Sequence, residues 1–141
     1  MKIIWLEDEP DTIFVIQTEV KEHCKELIVC QSFSKLSNEL EKIKDNSDYL
    51  IILDIRIVFY QELEINCFQK KFKITKELEA GMEYYLECLK SKFREDRIIF
   101  LSSKTLKNAQ EDGRRYHISP QQIIAKEDFT QLITRIKNVQ Q

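Results

Sequence analysis

The chain has 141 residues, 43% of them apolar and 33% charged, with a net charge of −2. A chain of that length fits one domain and buries roughly 68–70% of its unfolded surface without covalent staples. The near-balance of charge excludes a dominant basic face and argues against nucleic acid as a direct partner, and the apolar runs are too short to span a membrane.

The elements alternate in kind along the chain. KIIWL (2–6) reads as a buried strand, with Trp5 in the core. Pro10 suits the first turn of a helix, and residues 11–24 keep helical spacing at Ile13, Ile16 and Val20. ELIVCQSF (26–33) is a second strand; residues 34–46 form a helix capped by Ser34 or Ser37, with Leu36, Leu40 and Ile43 on one face. YLIILDI (49–55) is a third strand and nearly continuously apolar. Residues 81–93 form a helix whose inner stripe is Met82, Tyr85, Leu86 and Leu89. RIIFLS (97–102) is a fourth strand, and residues 105–113 a polar helix with Gly113 at its C′ position. QQIIA (121–125) is a short fifth strand, and residues 127–139 a last helix with Phe129, Leu132, Ile133 and Ile136 inward.

Strands alternating with helices predict an α/β fold, a doubly wound five-stranded parallel sheet with helices on both faces. The whole chain holds two glycines and two prolines, so a flexible linker is not expected and residues 1–141 read as a single domain. Residues 56–80 break the rhythm, because connections in such folds usually take about 2–6 residues. This segment carries Ile57, Phe59, Tyr60, Phe68, Phe72 and Ile74, and is expected to be partly ordered as a strand extension and a helical stretch.

Cys24, Cys30, Cys67 and Cys88 form no CxxC pair and have no ligand spacing with His23 or His117. They read as buried free thiols of a reducing compartment. Strand-like sequence from Lys2 followed at once by acids is unlike a signal peptide, so a cytoplasmic location is expected.

The functional signal lies at the strand ends. In an open α/β sheet, ligands bind beyond the carboxyl ends of the strands. Strand one ends on Glu7 and Asp8, strand three on Asp54, strand four on Ser102 and strand five is followed by Lys126. Glu9 and Asp11 read as ordinary helix N-terminal charges. Two like charges 4 Å apart cost roughly 4 kcal/mol at an effective dielectric of 20, so the acids require a proton or a cation. Short acids with oxygen ligands suit Mg2+. Asp54 is then a candidate nucleophile toward phosphorus, and Lys126 and the Ser102 hydroxyl candidates to hold the transferred oxygens.

These residues resemble the receiver domain of two-component response regulators. The words that carry the resemblance are LEDE after strand one, LD closing strand three, GMEYYLECL opening the third helix, LSS after strand four and AKED after strand five. The resemblance covers the chain apart from residues 56–80 and implies a flavodoxin-like, receiver-type sheet. It implies that Glu7 and Asp8 hold Mg2+ with Asp54 and the backbone carbonyl of Arg56, and that Asp54 accepts the phosphoryl group. It also implies that Ser102 shifts toward that group and that Lys126 pairs with it. The implied partners are a sensor histidine kinase or phosphotransfer protein as donor and an output protein. The implied activity is a switch that catalyses only its own phosphorylation and dephosphorylation, either a stand-alone receiver or the N-terminal piece of a longer protein.

Several residues depart from the family pattern. Ile123 stands where a switching aromatic is usual, and Glu127 where a proline usually follows the lysine, so a trans peptide is expected there. Arg56 brings a cation that can pair with Glu7, Asp8 or Asp54 in competition with Mg2+. The alternatives are a phosphorylation-silent pseudo-receiver acting as a protein-interaction module, and a small Mg2+-dependent phosphotransferase.

Overall fold

Alternate residues of β1 (Lys2–Leu6) enter two different cores: Ile4 and Leu6 one, Ile3 and Trp5 the other, all four fully buried. A strand apolar on both faces must be covered on both. The computed structural model describes residues 1–44, 47–59 and 63–139. In it, β2 (Glu26–Cys30), β1, β3 (Tyr49–Asp54), β6 (Ile98–Ser102) and β7 (Ile123–Ala125) lie in that order in one five-stranded parallel sheet. One face is covered by α2 (Phe33–Glu41), α3 (Ala80–Tyr84) and α4 (Leu106–Arg114) through Phe33, Leu36, Leu40, Met82, Tyr84 and Ala109. The other is covered by α1 (Phe14–Lys21) and α5 (Phe129–Val139) through Ile16, Val20, Leu132, Ile133 and Ile136. This is the doubly wound architecture that the alternating pattern implies. Among the described residues no helix is long and apolar enough to cross a membrane.

The helix ends differ from expectation in instructive ways. The cap of α2 is Ser32, whose Oγ accepts the Lys35 N–H at 3.2 Å, rather than Ser34 or Ser37. Phe33 is drawn into the core, so the helix starts one residue earlier, and Ser37 turns inward to Tyr84, oxygen to oxygen 2.8 Å. That helix ends at Glu41, and the expected last residues, 45–46, lie outside the described residues. After Tyr84, α3 widens into a π-turn, Tyr85–Leu89, where Lys90 N–H reaches the Tyr85 carbonyl at 2.9 Å. Tyr84 and Cys88 are buried and Leu86 is 38% exposed, so Leu86 is not part of the inner stripe. Phe129, also expected inside, opens α5 at 40% exposure. Gly113 is helical rather than a C′ residue, and the left-handed position falls on His117 with φ 58. Gly113 instead serves close packing, since a Cβ there would lie 2.9 Å from Ile123 Cδ1.

The long connection after β3 is a β-hairpin, not a strand extension and helix. β4 (Leu63–Cys67) pairs antiparallel with β5 (Lys70–Ile74), and a single 3-10 turn, Glu77–Glu79, leads into α3. Leu63, Ile65 and Cys67 alternate with polar neighbours, as do Phe72 and Ile74, and that period of two is the strand signal. The turn lacks the usual Asn-Gly: Phe68 and Gln69 both take positive φ, 51 and 64. Phe68 is held there by the Phe93 ring at 5.9 Å, by the Lys92 ammonium at 4.7 Å and by its N–H to Glu41 Oε1 at 2.7 Å. The hairpin packs on α2 and α3, burying Ile65, Cys67 and Ile74 in the first core. Glu79, nearly buried, ties the end of this connection to the end of α4 by accepting from Tyr116 Oη at 2.6 Å and from the Arg115 guanidinium. Tyr60 lies outside the described residues.

Candidate functional site

Parallel strands bring their carboxyl ends to one edge, and three ladder bonds continue the sheet just past it. Glu7 N–H donates to the Cys30 carbonyl at 2.9 Å, Ile55 N–H to Leu101 at 3.1 Å, and Lys126 N–H to Ser102 at 2.7 Å. The backbones carrying Glu7, Asp54 and Lys126 are therefore held by the sheet itself. Glu7 is fully buried, Asp54 is 3% exposed and Asp8 is half-buried. Carboxylate oxygens of Glu7, Asp8 and Asp54 all lie within 4.8 Å of one another.

Among the described residues, one cation reaches this cluster. Lys126 Nζ lies 2.6 Å from Glu7 Oε1 and 2.9 Å from Asp54 Oδ2. Apart from that ion pair, the buried Glu7 Oε1 accepts no hydrogen bond. Burial, and then the Glu7 charge, push the Asp54 carboxyl up to about 7, against the pull of Lys126. Burial disfavours the charged Lys126, yet its contacts with Glu7 and Asp54 prevail and its pKa is raised. Asp8 accepts the Val58 N–H on Oδ2 at 3.0 Å, so the loop after β3 folds back over the acid edge.

The remaining expected residues take different positions. Ser102 is 4% exposed, and its Oγ is occupied by Lys104, accepting from the N–H at 3.0 Å and donating to the carbonyl at 3.3 Å. Neither Ser102 nor Ser103 caps α4; Thr105 does, accepting the Asn108 N–H. The Arg56 side chain is exposed and, among the described residues, makes no ion pair with Glu7, Asp8 or Asp54, so the competition expected from it comes from Lys126. Arg56 instead lines a cavity of 230 Å³ with Ile55, Leu78, Ser102, Lys104 and Asp112. Ile123 is buried beneath α4, and no described peptide is cis, including that before Glu127.

The chain is similar to the response regulator protein TrrA from Thermotoga maritima, solved in complex with Mg2+ and BeF. The two share 20% identity with a TM-score of 0.60, over 98% of this chain and 97% of that one. The fold is that of a response regulator receiver domain. No protein-family model and no curated protein matches the sequence. At 20% identity the likeness carries the receiver fold, and the chemistry of this receiver-like edge rests on its own side chains.

Two contributors to this edge went unnoticed in the sequence. Val58 acts through its backbone, for which a sequence has no signal. Gly81 donates its N–H to the Ile55 carbonyl at 2.9 Å, and a Cβ on it would lie 2.3 Å from the Asp54 carbonyl oxygen. A glycine opening a helix after a long connection was the available clue to such a close approach.

Proposed function

We propose that this chain is a phosphorylatable receiver: Asp54 accepts a phosphoryl group in the presence of Mg2+, and the change is read by a partner protein. The observation that carries the reading is the set of three carboxylates within 4.8 Å, with Lys126 on two of them, at the ligand-binding edge of a receiver fold. Three carboxylates and one ammonium leave a charge of −2 when all are ionised, which one divalent cation cancels. The buried Glu7 and Asp54 carboxylates and the all-oxygen donor set fit such an ion. Glu7, Asp8, Asp54 and the Arg56 carbonyl would hold it. When bound, Mg2+ would supply charge neutralisation for the incoming phosphoryl oxygens.

In this reading an Asp54 carboxylate oxygen attacks phosphorus, and the bond from phosphorus to the donor's nitrogen or oxygen breaks, leaving an acyl phosphate on Asp54. Lys126 follows the charge: freed from the carboxylate, its ammonium pairs with a phosphoryl oxygen. Ser102 can contribute its hydroxyl once it leaves Lys104. The donor is a sensor histidine kinase or phosphotransfer protein, and the chain turns over only its own phosphate. Intact mass after incubation with acetyl phosphate and Mg2+ tests this. The expected gain is one phosphoryl group in the parent and none in Asp54→Asn or without Mg2+. No gain in the parent would favour a silent interaction module.

A further inference from the structure

Both hydrogen bonds of the Ser102 hydroxyl go to one residue, Lys104: it accepts the N–H at 3.0 Å and donates to the carbonyl at 3.3 Å. Lys104 is itself held. Its Nζ reaches Asp112 Oδ2, in the last turn of α4, at 2.7 Å. The second oxygen, Asp112 Oδ1, accepts from the Arg115 guanidinium at 3.0 Å, and Arg115 donates in turn to Glu79 Oε1. Glu79 Oε2 accepts from Tyr116 Oη at 2.6 Å. An unbroken series of contacts thus runs from the hydroxyl at the strand edge, along α4, to the 3-10 turn that joins the hairpin to α3.

The acids are the fixed points of this series. The Glu79 and Asp112 side chains are only 10% and 21% exposed, whereas Lys104 and Arg115 reach them from solvent. A largely buried carboxylate left without its partner is costly, so each acid keeps its cation. Packing does less here. Lys104 and Asp112 both line the 230 Å³ cavity, whose apolar walls are Ile55, Leu78, Met82 and Ala109. A side chain bordering a void lacks the neighbours that would fix it. The ion pair with Asp112 therefore sets the place of Lys104, and with it that of the Ser102 hydroxyl.

We propose that Glu79, Arg115, Asp112 and Lys104 form a latch through which the long connection after β3 keeps the Ser102 hydroxyl on Lys104 and away from use at Asp54. The four are positioning residues, since none of them touches Asp54. Coupling of this kind is reciprocal. Drawing Ser102 toward a group on Asp54 strains the hold on Glu79, and shifting the connection that carries Glu79 releases Ser102. The consequence for Asp54 rests on the phosphoryl reading; the hold on Ser102 does not.

Two near-isosteric variants cut the latch without touching the acid edge: Asp112→Asn in its middle and Glu79→Gln at its far end. Hydrogen exchange of the full chain, followed by NMR without Mg2+ or phosphodonor, reads the Lys104 amide, whose acceptor is Ser102 Oγ. Ser102→Ala sets the rate in the absence of that acceptor. Lys104 should exchange severalfold faster in both variants, toward the Ser102→Ala rate. The Ile55 amide, bonded to the Leu101 carbonyl at 3.1 Å within the sheet, should exchange as in the parent. With acetyl phosphate and Mg2+, both variants should gain phosphate about threefold faster by intact mass, the scale set by a partly exposed ion pair. A merely structural role would lower Tm without speeding the reaction. If Glu79→Gln does not fold, Asp112→Asn decides. Lys104 exchange in Asp112→Asn equal to that of the parent, or faster exchange with no faster phosphorylation, would overturn the proposal. A parent that takes up no phosphate sinks the phosphoryl reading instead, and the Lys104 amide then decides the latch by itself.

Discussion

Gly81 leaves no room for a side chain above Asp54: a Cβ on it would lie 2.3 Å from the Asp54 carbonyl oxygen and 3.1 Å from Ile55 Cα. Both obstacles are backbone of the central strand and its exit, which cannot swing aside as a flexible side chain would. Gly81→Ala is therefore expected to push α3 off the acid edge at a cost of about 3 kcal/mol, the upper range for overpacking. Urea denaturation measures the loss. Mg2+ affinity should fall with it, since the Asp54 backbone must move. A variant as stable as the parent would mean that α3 does not seat at this point.

Lys126 should affect metal binding and phosphoryl transfer in opposite directions. Its ammonium already neutralises Glu7 and Asp54, at 2.6 and 2.9 Å, and so competes with a divalent ion for the same oxygens. Lys126→Ala is expected to tighten Mg2+ about tenfold by removing a nearby positive charge. The same change should slow phosphorylation by acetyl phosphate by about 10²-fold, because no ammonium then pairs with the transferred oxygens. Trp5, the sole tryptophan and fully buried two residues before Glu7, provides the fluorescence signal for the titration. Weaker Mg2+ binding in the variant would contradict this account.

Stability should carry the signature of Asp54. Its folded pKa is raised from 3.8 to about 7, so between those values the folded chain keeps a proton that the unfolded chain has released. Stability attributable to this group therefore falls as pH rises through that window, by at most about 1.4 kcal/mol per pH unit. Excess Mg2+ displaces the proton and should flatten the decline. Denaturation of the parent and Asp54→Asn from about pH 4 to pH 7, with and without Mg2+, isolates the effect. Parallel curves for the two proteins would show that Asp54 titrates normally.

The hairpin turn holds removable strain. Gln69 is exposed with φ 64, at the second central position of a two-residue turn where glycine is preferred. Gln69→Gly relieves a left-handed conformation worth about 1–2 kcal/mol, partly offset by the freer unfolded chain. A net gain of up to about 1 kcal/mol is expected, seen as a rise of a few degrees in Tm. A lower Tm would mean that the Gln69 side chain contributes more than its backbone costs.

Much of the architecture was legible in the sequence because its signals are local. Apolar runs such as YLIIL mark strands buried on both faces, and Ile16 and Val20 recur at helical spacing. Where those runs stop on Glu7, Asp8 and Asp54, parallel pairing alone brings the acids to one edge. The alternation Leu63, Ile65, Cys67 was also there to read, but a Phe-Gln turn gives no hairpin signal.

What the tertiary structure decided are relationships between segments far apart in the chain. Lys126 rather than Arg56 neutralises the acids because β7 ends beside β6 and the Lys126 N–H is pinned to Ser102, while the Arg56 side chain turns to solvent. Tyr84 faces inward and meets Cys67 only once the hairpin packs against α3. Periodicity tells which side of an element is apolar; which side chains meet across elements depends on how those elements pack.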